Sequence, residues 1–247
     1  MKLALGNSLA TQRIGGAAAW SPLALTAPLI WNEAAKETGY ANSDPVASIT
    51  NFVPSGPAFT QGTTASKPTF IASGINSLPS FRFDGVDDGA DLTGLGGQSA
   101  WSLALVFRQN GIDVGENSIF SVASYPSATN YKMFEKPAGA DGTTGLAFNS
   151  NPGGANAGQP YSGDEVVAIV ITANGSTMTW VDSSGGAGSA AGNHARADDL
   201  MQIARRGDGN FTPMDYAVGI FTGAVMTSDE IAAVFTYFNS KWGTAIP

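Results

Sequence analysis

The stretch Lys67–Leu92, KPTFIASGINSLPSFRFDGVDDGADL, constrains the fold more than any other part of the chain. Phe81 and Phe83 alternate with Arg82, the period-two pattern of a strand with one buried face. Asp84-Gly85 follows, a pair suited to the positive φ of a type I′ turn, and it predicts a tight hairpin into Ala90–Leu92. Ahead of it, Pro68–Ile71 and Ser80–Phe83 read as short strands on either side of a turn. A chain written this way is built from sheets.

The remaining strands recur at similar spacing: Leu29–Trp31, Ser48–Val53, Ala100–Arg108, Ser118–Ser124, Tyr131–Glu135, Gly145–Asn149, Glu165–Thr172, Thr177–Asp182, Leu200–Arg205 and Ala217–Thr222. WSLALVF and VVAIVIT are nearly continuous apolar runs, the pattern of central strands covered on both faces. Asn174-Gly175 predicts a hairpin between VVAIVIT and TMTWVD. Gly207–Asn210 predicts another. The segments Asn149–Gly163 and Ser183–Asn193, rich in Gly, Ala, Ser and Asn, read as loops.

One strong helix pattern closes the chain. Thr227 and Glu230 form a capping box, with Met226 and Ile231 placed as its hydrophobic staple. Ile231, Val234, Phe235, Phe238 and Trp242 make one apolar stripe, and Gly243 is the expected C′ residue. Phe238 and Trp242 are expected to be buried.

Composition agrees. Glycine numbers 31 and charged residues only 13% of the chain, below the usual quarter, as short strands joined by many turns require. A net charge of −8 with scattered basic residues argues against nucleic acid and anionic membranes as partners. The absence of cysteine excludes disulfides and thiolate metal sites. Residues 1–21 read as a small-residue, extended N-terminal arm, and 22–247 as one domain. The arm opens like a signal peptide, but Asn7, Ser8, Gln12 and Arg13 break the apolar run that export needs.

Three places carry a family resemblance. PSFRFDGVDDGADL is similar to an FDG-x-DD strand–turn–strand. Lys67–Phe70 with Gly74-Ile75-Asn76 matches its lead-in. Ala217–Phe221 running through Ser228–Ile231 to Lys241-Trp242-Gly243 matches its ending. The chain thus resembles the concanavalin A-like lectin/glucanase (laminin G-like) jelly-roll family over roughly residues 22–244. The resemblance implies an all-β fold: a two-sheet antiparallel jelly-roll sandwich with one C-terminal amphipathic helix. At the first strand it departs, because Asn32 stands where the family carries aspartate and Asn51–Gly56 is a reduced strand and turn. A family calcium or ligand site there is not carried over. The leader Met1–Pro22 resembles that of virion proteins of tailed bacteriophages and prophages.

Glycoside hydrolysis needs paired carboxylates. The Glu-x-Asp-x-x-Glu pattern of the glucanase branch is absent, and Glu33 and Glu37 read as an exposed, mutually repelling pair on a helical turn. Asp84, Asp87, Asp88 and Asp91 have carboxylates that suit calcium, but turn chemistry accounts for the segment, so no metal or other cofactor is expected. His194, the only histidine, reads as a loop residue beside Arg196. Trp31, Trp101, Trp180 and Trp242 fall in strand or helix patterns and read as core. Tyr125 and Tyr161, each beside a proline in a loop, are the candidate glycan contacts, and Leu3, Leu5, Leu9, Ile14 and Trp20 the candidate anchoring residues of the arm. The expectation is therefore a non-enzymatic virion structural protein, homo-oligomeric, joined to other virion proteins by its arm and carrying a surface suited to host glycans. A secreted bacterial carbohydrate-binding module is the alternative, and a divergent glycosidase the third.

Overall fold

The computed structural model describes residues 20–110, 117–122, 131–136, 144–151, 159–161, 164–196, 199–207 and 209–244. Its strands are β1 (Pro28–Glu33), β2 (Ser48–Ile49), β3 (Phe59–Thr60), β4 (Thr69–Ile75), β5 (Leu78–Asp84), β6 (Ala90–Leu92), β7 (Trp101–Gln109), β8 (Asn117–Ser121) and β9 (Tyr131–Lys136). They continue with β10 (Thr144–Asn151), β11 (Gln159–Tyr161), β12 (Val166–Ala173), β13 (Thr177–Asp182), β14 (Ala187–Ala191), β15 (Met201–Ile203), β16 (Arg205–Arg206), β17 (Asn210–Phe211) and β18 (Pro213–Thr222). The helix α1 (Ser228–Trp242) is the last element among the described residues. Among the described residues no helix is long and apolar enough to cross a membrane.

The strands form two antiparallel sheets. Sheet A runs β14-β13-β12-β7-β18-β5-β4, with β1 added beside β18; sheet B runs β11-β10-β9-β8-β15-β6-β3-β2. The expected sandwich is the observed one. Between the sheets lies a core that includes Phe59, Phe81, Phe83, Leu103, Leu105, Phe107, Phe120, Ile169, Ile203 and Tyr216. On the other face of sheet A, Ala104, Val106, Ala168, Val170, Val218 and Ile220 meet Val234, Phe235, Phe238 and Trp242 of α1. Strands β7 and β12 are therefore buried on both faces, as their unbroken apolar runs require. Small alanines under the helix let it approach closely.

Helix α1 follows its sequence signals. Glu230 N–H donates to Thr227 Oγ1 at 3.2 Å while Glu230 Oε2 accepts from the Thr227 N–H at 2.8 Å. Gly243 adopts φ +64°, the left-handed stop that lacks a Cβ penalty.

Other expectations need correction. Asp84-Gly85 closes no hairpin, because β5 belongs to sheet A and β6 to sheet B; the segment is a crossover between sheets. The type I′ geometry falls one loop earlier, at Asn76-Ser77, where φ is +47° and +64° between the paired Ile75 and Leu78. In the β12–β13 hairpin the central pair is Gly175-Ser176, and Asn174 instead accepts the Ser176 and Thr177 amides through Oδ1. Ser183–Asn193 is not all loop, since Ala187–Ala191 pairs with β13 as an edge strand. Asn149–Gly163 likewise contains β11, paired with β10. The Leu200–Arg205 strand is broken at Ala204, whose φ is +59°. The hairpin expected at Gly207–Asn210 joins β16 to β17.

Candidate functional site

Along β1 the alternation of side chains decides which residues meet the helix. Ile30, Asn32 and Ala34 face the sandwich core, where Asn32 Oδ1 accepts from the Tyr216 hydroxyl at 2.6 Å. Trp31 and Glu33 face the opposite way, toward α1. Glu33 is fully buried, so it is not the exposed partner of Glu37 that its spacing suggested. A helical turn does separate the two, the 3-10 turn Ala34–Lys36, but Glu33 is its extended N-cap at the end of β1, so its side chain follows the strand's alternation inward. Glu37 lies apart and accepts from the Thr50 amide and hydroxyl.

A buried carboxylate persists only when its charge and lone pairs are met. Glu33 Oε2 accepts from Trp31 Nε1 at 3.2 Å and from the Tyr237 hydroxyl, while Lys241 Nζ donates to Oε1. Lys241 Nζ also donates to the Tyr237 hydroxyl at 3.0 Å. Tyr237 and Lys241 are one helical turn apart, so both reach the same carboxylate. Burial, then the Glu33 carboxylate, pushes the Tyr237 phenol far above its ordinary pKa, and it stays a hydroxyl donor.

Above this network lies a cavity of about 430 Å³, lined by Trp20, Ala233, Thr236, Tyr237, Ser240 and Lys241. Five of those residues follow i, i+3, i+4, i+7, i+8 along α1, a second stripe beside the one buried on sheet A. The sixth, Trp20, crosses Tyr237 with ring centroids 5.5 Å apart and planes tilted by 60°. Thr236 Oγ1 donates to Ala232 O and Ser240 Oγ to Tyr237 O, both at 2.8 Å. Each hydroxyl hydrogen is thereby used, leaving oxygen lone pairs for an occupant. Aromatic walls with a few convergent polar groups are what a small-molecule pocket of this size consists of.

Of the residues singled out from sequence, Trp20 joins this cavity. Leu3, Leu5, Leu9, Ile14 and Tyr125 lie outside the described residues, and Tyr161 is placed by its backbone alone, opposite Thr144. Trp31, Trp101, Trp180 and Trp242 are buried, as expected. His194 is also buried, its Nε2 3.0 Å from Ala190 O, and its carbonyl accepts from Trp101 Nε1. Arg196 beside it donates from Nε to Val122 O at 2.8 Å. This segment pins one end of the sandwich.

The aspartates divide into two groups. Oxygens of Asp84, Asp87 and Asp88 gather within 4.8 Å. Asp84 Oδ1 accepts the amides of Val86, Asp87 and Asp88, and Asp88 Oδ2 accepts the Asp84 amide at 3.0 Å, so these carboxylates shape the crossover itself. Burial, then the neighbouring Asp84 charge, pushes Asp88 up to about 6. Asp91 stands apart on the outer face of sheet B, where Gln202 Nε2 at 3.0 Å and Arg205 Nη2 donate to it.

Sequence reasoning missed Glu33, Tyr237 and Lys241. The signals were Trp31-x-Glu33 on one strand face and Tyr237-x-x-x-Lys241 on one helix face, but nothing local says that those faces meet.

No known family profile matches the chain, and no curated protein matches it in sequence. The comparison with solved structures is informative about fold: the similar chains are β-sandwich glycosidases and a domain of one. A mutant of a GH54 α-L-arabinofuranosidase, soaked with 4-nitrophenyl α-L-arabinofuranoside, aligns with TM-score 0.61 and 11% identity over 83% of this chain and 57% of its own. Domain 4 of AbnA, a GH43 extracellular arabinanase from Geobacillus stearothermophilus in complex with arabinotriose, gives 0.56 and 12% over 83% of this chain and 97% of its own. Trypanosoma rangeli sialidase in complex with sialic acid gives 0.59 and 11% over 93% of this chain and 35% of its own. The chain therefore spans about half of the arabinofuranosidase and a third of the sialidase. These neighbours overturn the expectation of a non-enzymatic virion protein, since they belong to carbohydrate-processing proteins.

Proposed function

We propose that this chain is a carbohydrate-recognition domain that binds a saccharide in the cavity between Trp20 and α1. The observation that carries the reading is the cavity's make-up: two tilted aromatic rings, two hydroxyls with open lone pairs and one ammonium. Aromatic faces cover the C–H faces of a sugar ring, while the polar groups meet its hydroxyls. Support by analogy comes from Domain 4 of AbnA, a single domain of the same fold holding arabinotriose. Calorimetric titration of the full chain with arabinotriose and a panel of other oligosaccharides tests it. Saturable binding that Trp20→Ala reduces by about tenfold or more is the expected result. Binding to no member of the panel, or binding indifferent to Trp20→Ala, rejects the reading.

A second reading is hydrolysis by the chain itself, favoured by its likeness to the arabinofuranosidase. Asp91, oriented by Gln202 and Arg205 on the outer face of sheet B, is then the carboxylate to change. Release of nitrophenol from 4-nitrophenyl α-L-arabinofuranoside that Asp91→Asn abolishes would establish that reading. No release from this substrate and a polysaccharide panel leaves recognition alone.

A further inference from the structure

The cavity's charge and hydrogen-bond directions discriminate between kinds of saccharide. We infer that it takes a neutral glycan and excludes acidic ones, and that Glu33, which touches no ligand, sets this preference. The inference rests on the saccharide reading above and adds the class of sugar and the residue that selects it.

Lys241 is the only charged residue lining the cavity among the described residues. A bare ammonium there would be an anion site. Its charge, however, is met by the Glu33 carboxylate directly behind it, a side chain with no solvent exposure. Two of its three N–H groups are spent, one on Glu33 Oε1 and one on the Tyr237 hydroxyl. A single N–H remains for an occupant, enough for one hydroxyl or ring oxygen. A sugar carboxylate placed on that N–H meets the attraction of Lys241 and the repulsion of Glu33 together, and must still leave water.

The two hydroxyls point the same way. Thr236 Oγ1 and Ser240 Oγ have given their hydrogens to helix carbonyls, so both act toward the cavity as acceptors. Acceptors suit the O–H donors of a neutral sugar and repel carboxylate oxygens. The chain's net charge of −8 adds a long-range field against anions. Charge balance, donor count and acceptor placement agree.

Glu33 is thus a positioning residue with a consequence beyond stability. Removing its charge turns Lys241 into an uncompensated cation. The experiment titrates wild type and Glu33→Gln with arabinotriose and with sialyllactose, a neutral and an acidic trisaccharide, at low and high salt, recording melting temperature for each protein. Wild type is expected to bind arabinotriose with little salt dependence and to bind sialyllactose at least about tenfold more weakly. Glu33→Gln is expected to raise the sialyllactose-to-arabinotriose affinity ratio by about tenfold, with the gain lost at high salt. A merely structural role would lower both affinities and leave their ratio unchanged.

Wild type alone suffices to overturn the inference, should Glu33→Gln fail to fold: sialyllactose bound as tightly as arabinotriose, or more tightly, rejects it while the saccharide reading stands. An unchanged ratio in a folded Glu33→Gln rejects the role of Glu33. Binding of neither sugar, nor of any panel member, rejects the saccharide reading and this inference with it.

Discussion

At the scale of single residues, the chain holds acidic groups in sharply different surroundings. Glu33 is buried, and its oxygens are met by Lys241, Tyr237 and Trp31. Asp88 is buried among like charges, and its pKa rises to about 6. A raised carboxylate pKa means that the native state holds its proton more tightly than the unfolded chain does. Its stabilising contribution is complete below the unfolded value of 3.8 and is lost as pH rises through about 6. Thermal melts should therefore show wild type losing stability across that interval, while Asp88→Asn, which keeps an oxygen for the Asp84 amide, loses less. At neutral pH the variant should melt higher than wild type. A variant that melts lower at neutral pH would show that the charged form is stabilised by something else. That Asp84, Asp87 and Asp88 crowd together was legible from their spacing. That one of them is buried was not, because the depth of a loop depends on what crosses it.

At the scale of elements, local chemistry wrote some parts fully and others ambiguously. The capping box, apolar stripe and left-handed glycine of α1 are all short-range features, and each is found where the sequence placed it. Turns were harder. Asp84-Gly85 has the composition of a hairpin but serves a crossover, since a positive φ at Gly85 suits either path. The edge strand Ala187–Ala191 has almost no propensity of its own and exists because β13 offers it unpaired backbone. Ties between elements were invisible. Asp215 of β18 has a side chain with no exposure, and it accepts from Arg82 Nε on β5 at 2.7 Å, from Arg108 on β7 and from Asn110 Nδ2 at 3.0 Å. Burial pushes its pKa up, but the hydrogen bonds from Arg82, Asn110 and Arg108 outweigh it and hold the carboxyl below its ordinary value. Asp215→Asn should cost about 3 kcal/mol in urea unfolding at neutral pH, since it leaves two guanidiniums over a neutral amide. The lowered pKa makes this contribution present above 3.8 and lost only as pH falls through the folded value, so the two proteins should converge in acid. An equal gap at acidic and neutral pH would mean that Asp215 acts by packing, not by charge.

At the scale of the whole molecule, the sandwich was written into the amino-acid order by long-wavelength patterning. Unbroken apolar runs in β7 and β12 require cover on both faces, and the amphipathic helix α1 supplies one of those covers. The family resemblance named the architecture correctly, yet the function attached to its leader was not upheld by the glycosidase neighbours. Fold is a property of many weak, distributed choices, so it survives at the 10–12% identity seen among the structural neighbours. A binding preference rests on a few side chains and does not.

By itself, then, the sequence determined the long central strands, where the helix begins and ends, and that two sheets must share a core, because propensity, capping and periodicity act over a few residues. The edge strands Ala187–Ala191 and Gln159–Tyr161 it read as loop. Tertiary structure alone decided that the outward face of β1 meets the flank of α1, more than 200 residues away, as the Glu33–Tyr237 separation of 204 records. The physical reason is that a carboxylate's partners are set by proximity in space: Glu33 reads as a solvated charge until Lys241, Tyr237 and Trp31 close around it. The FDG segment announces the scaffold, while the aromatic cavity over Glu33 exists only once Trp20 and β1 have been brought against α1.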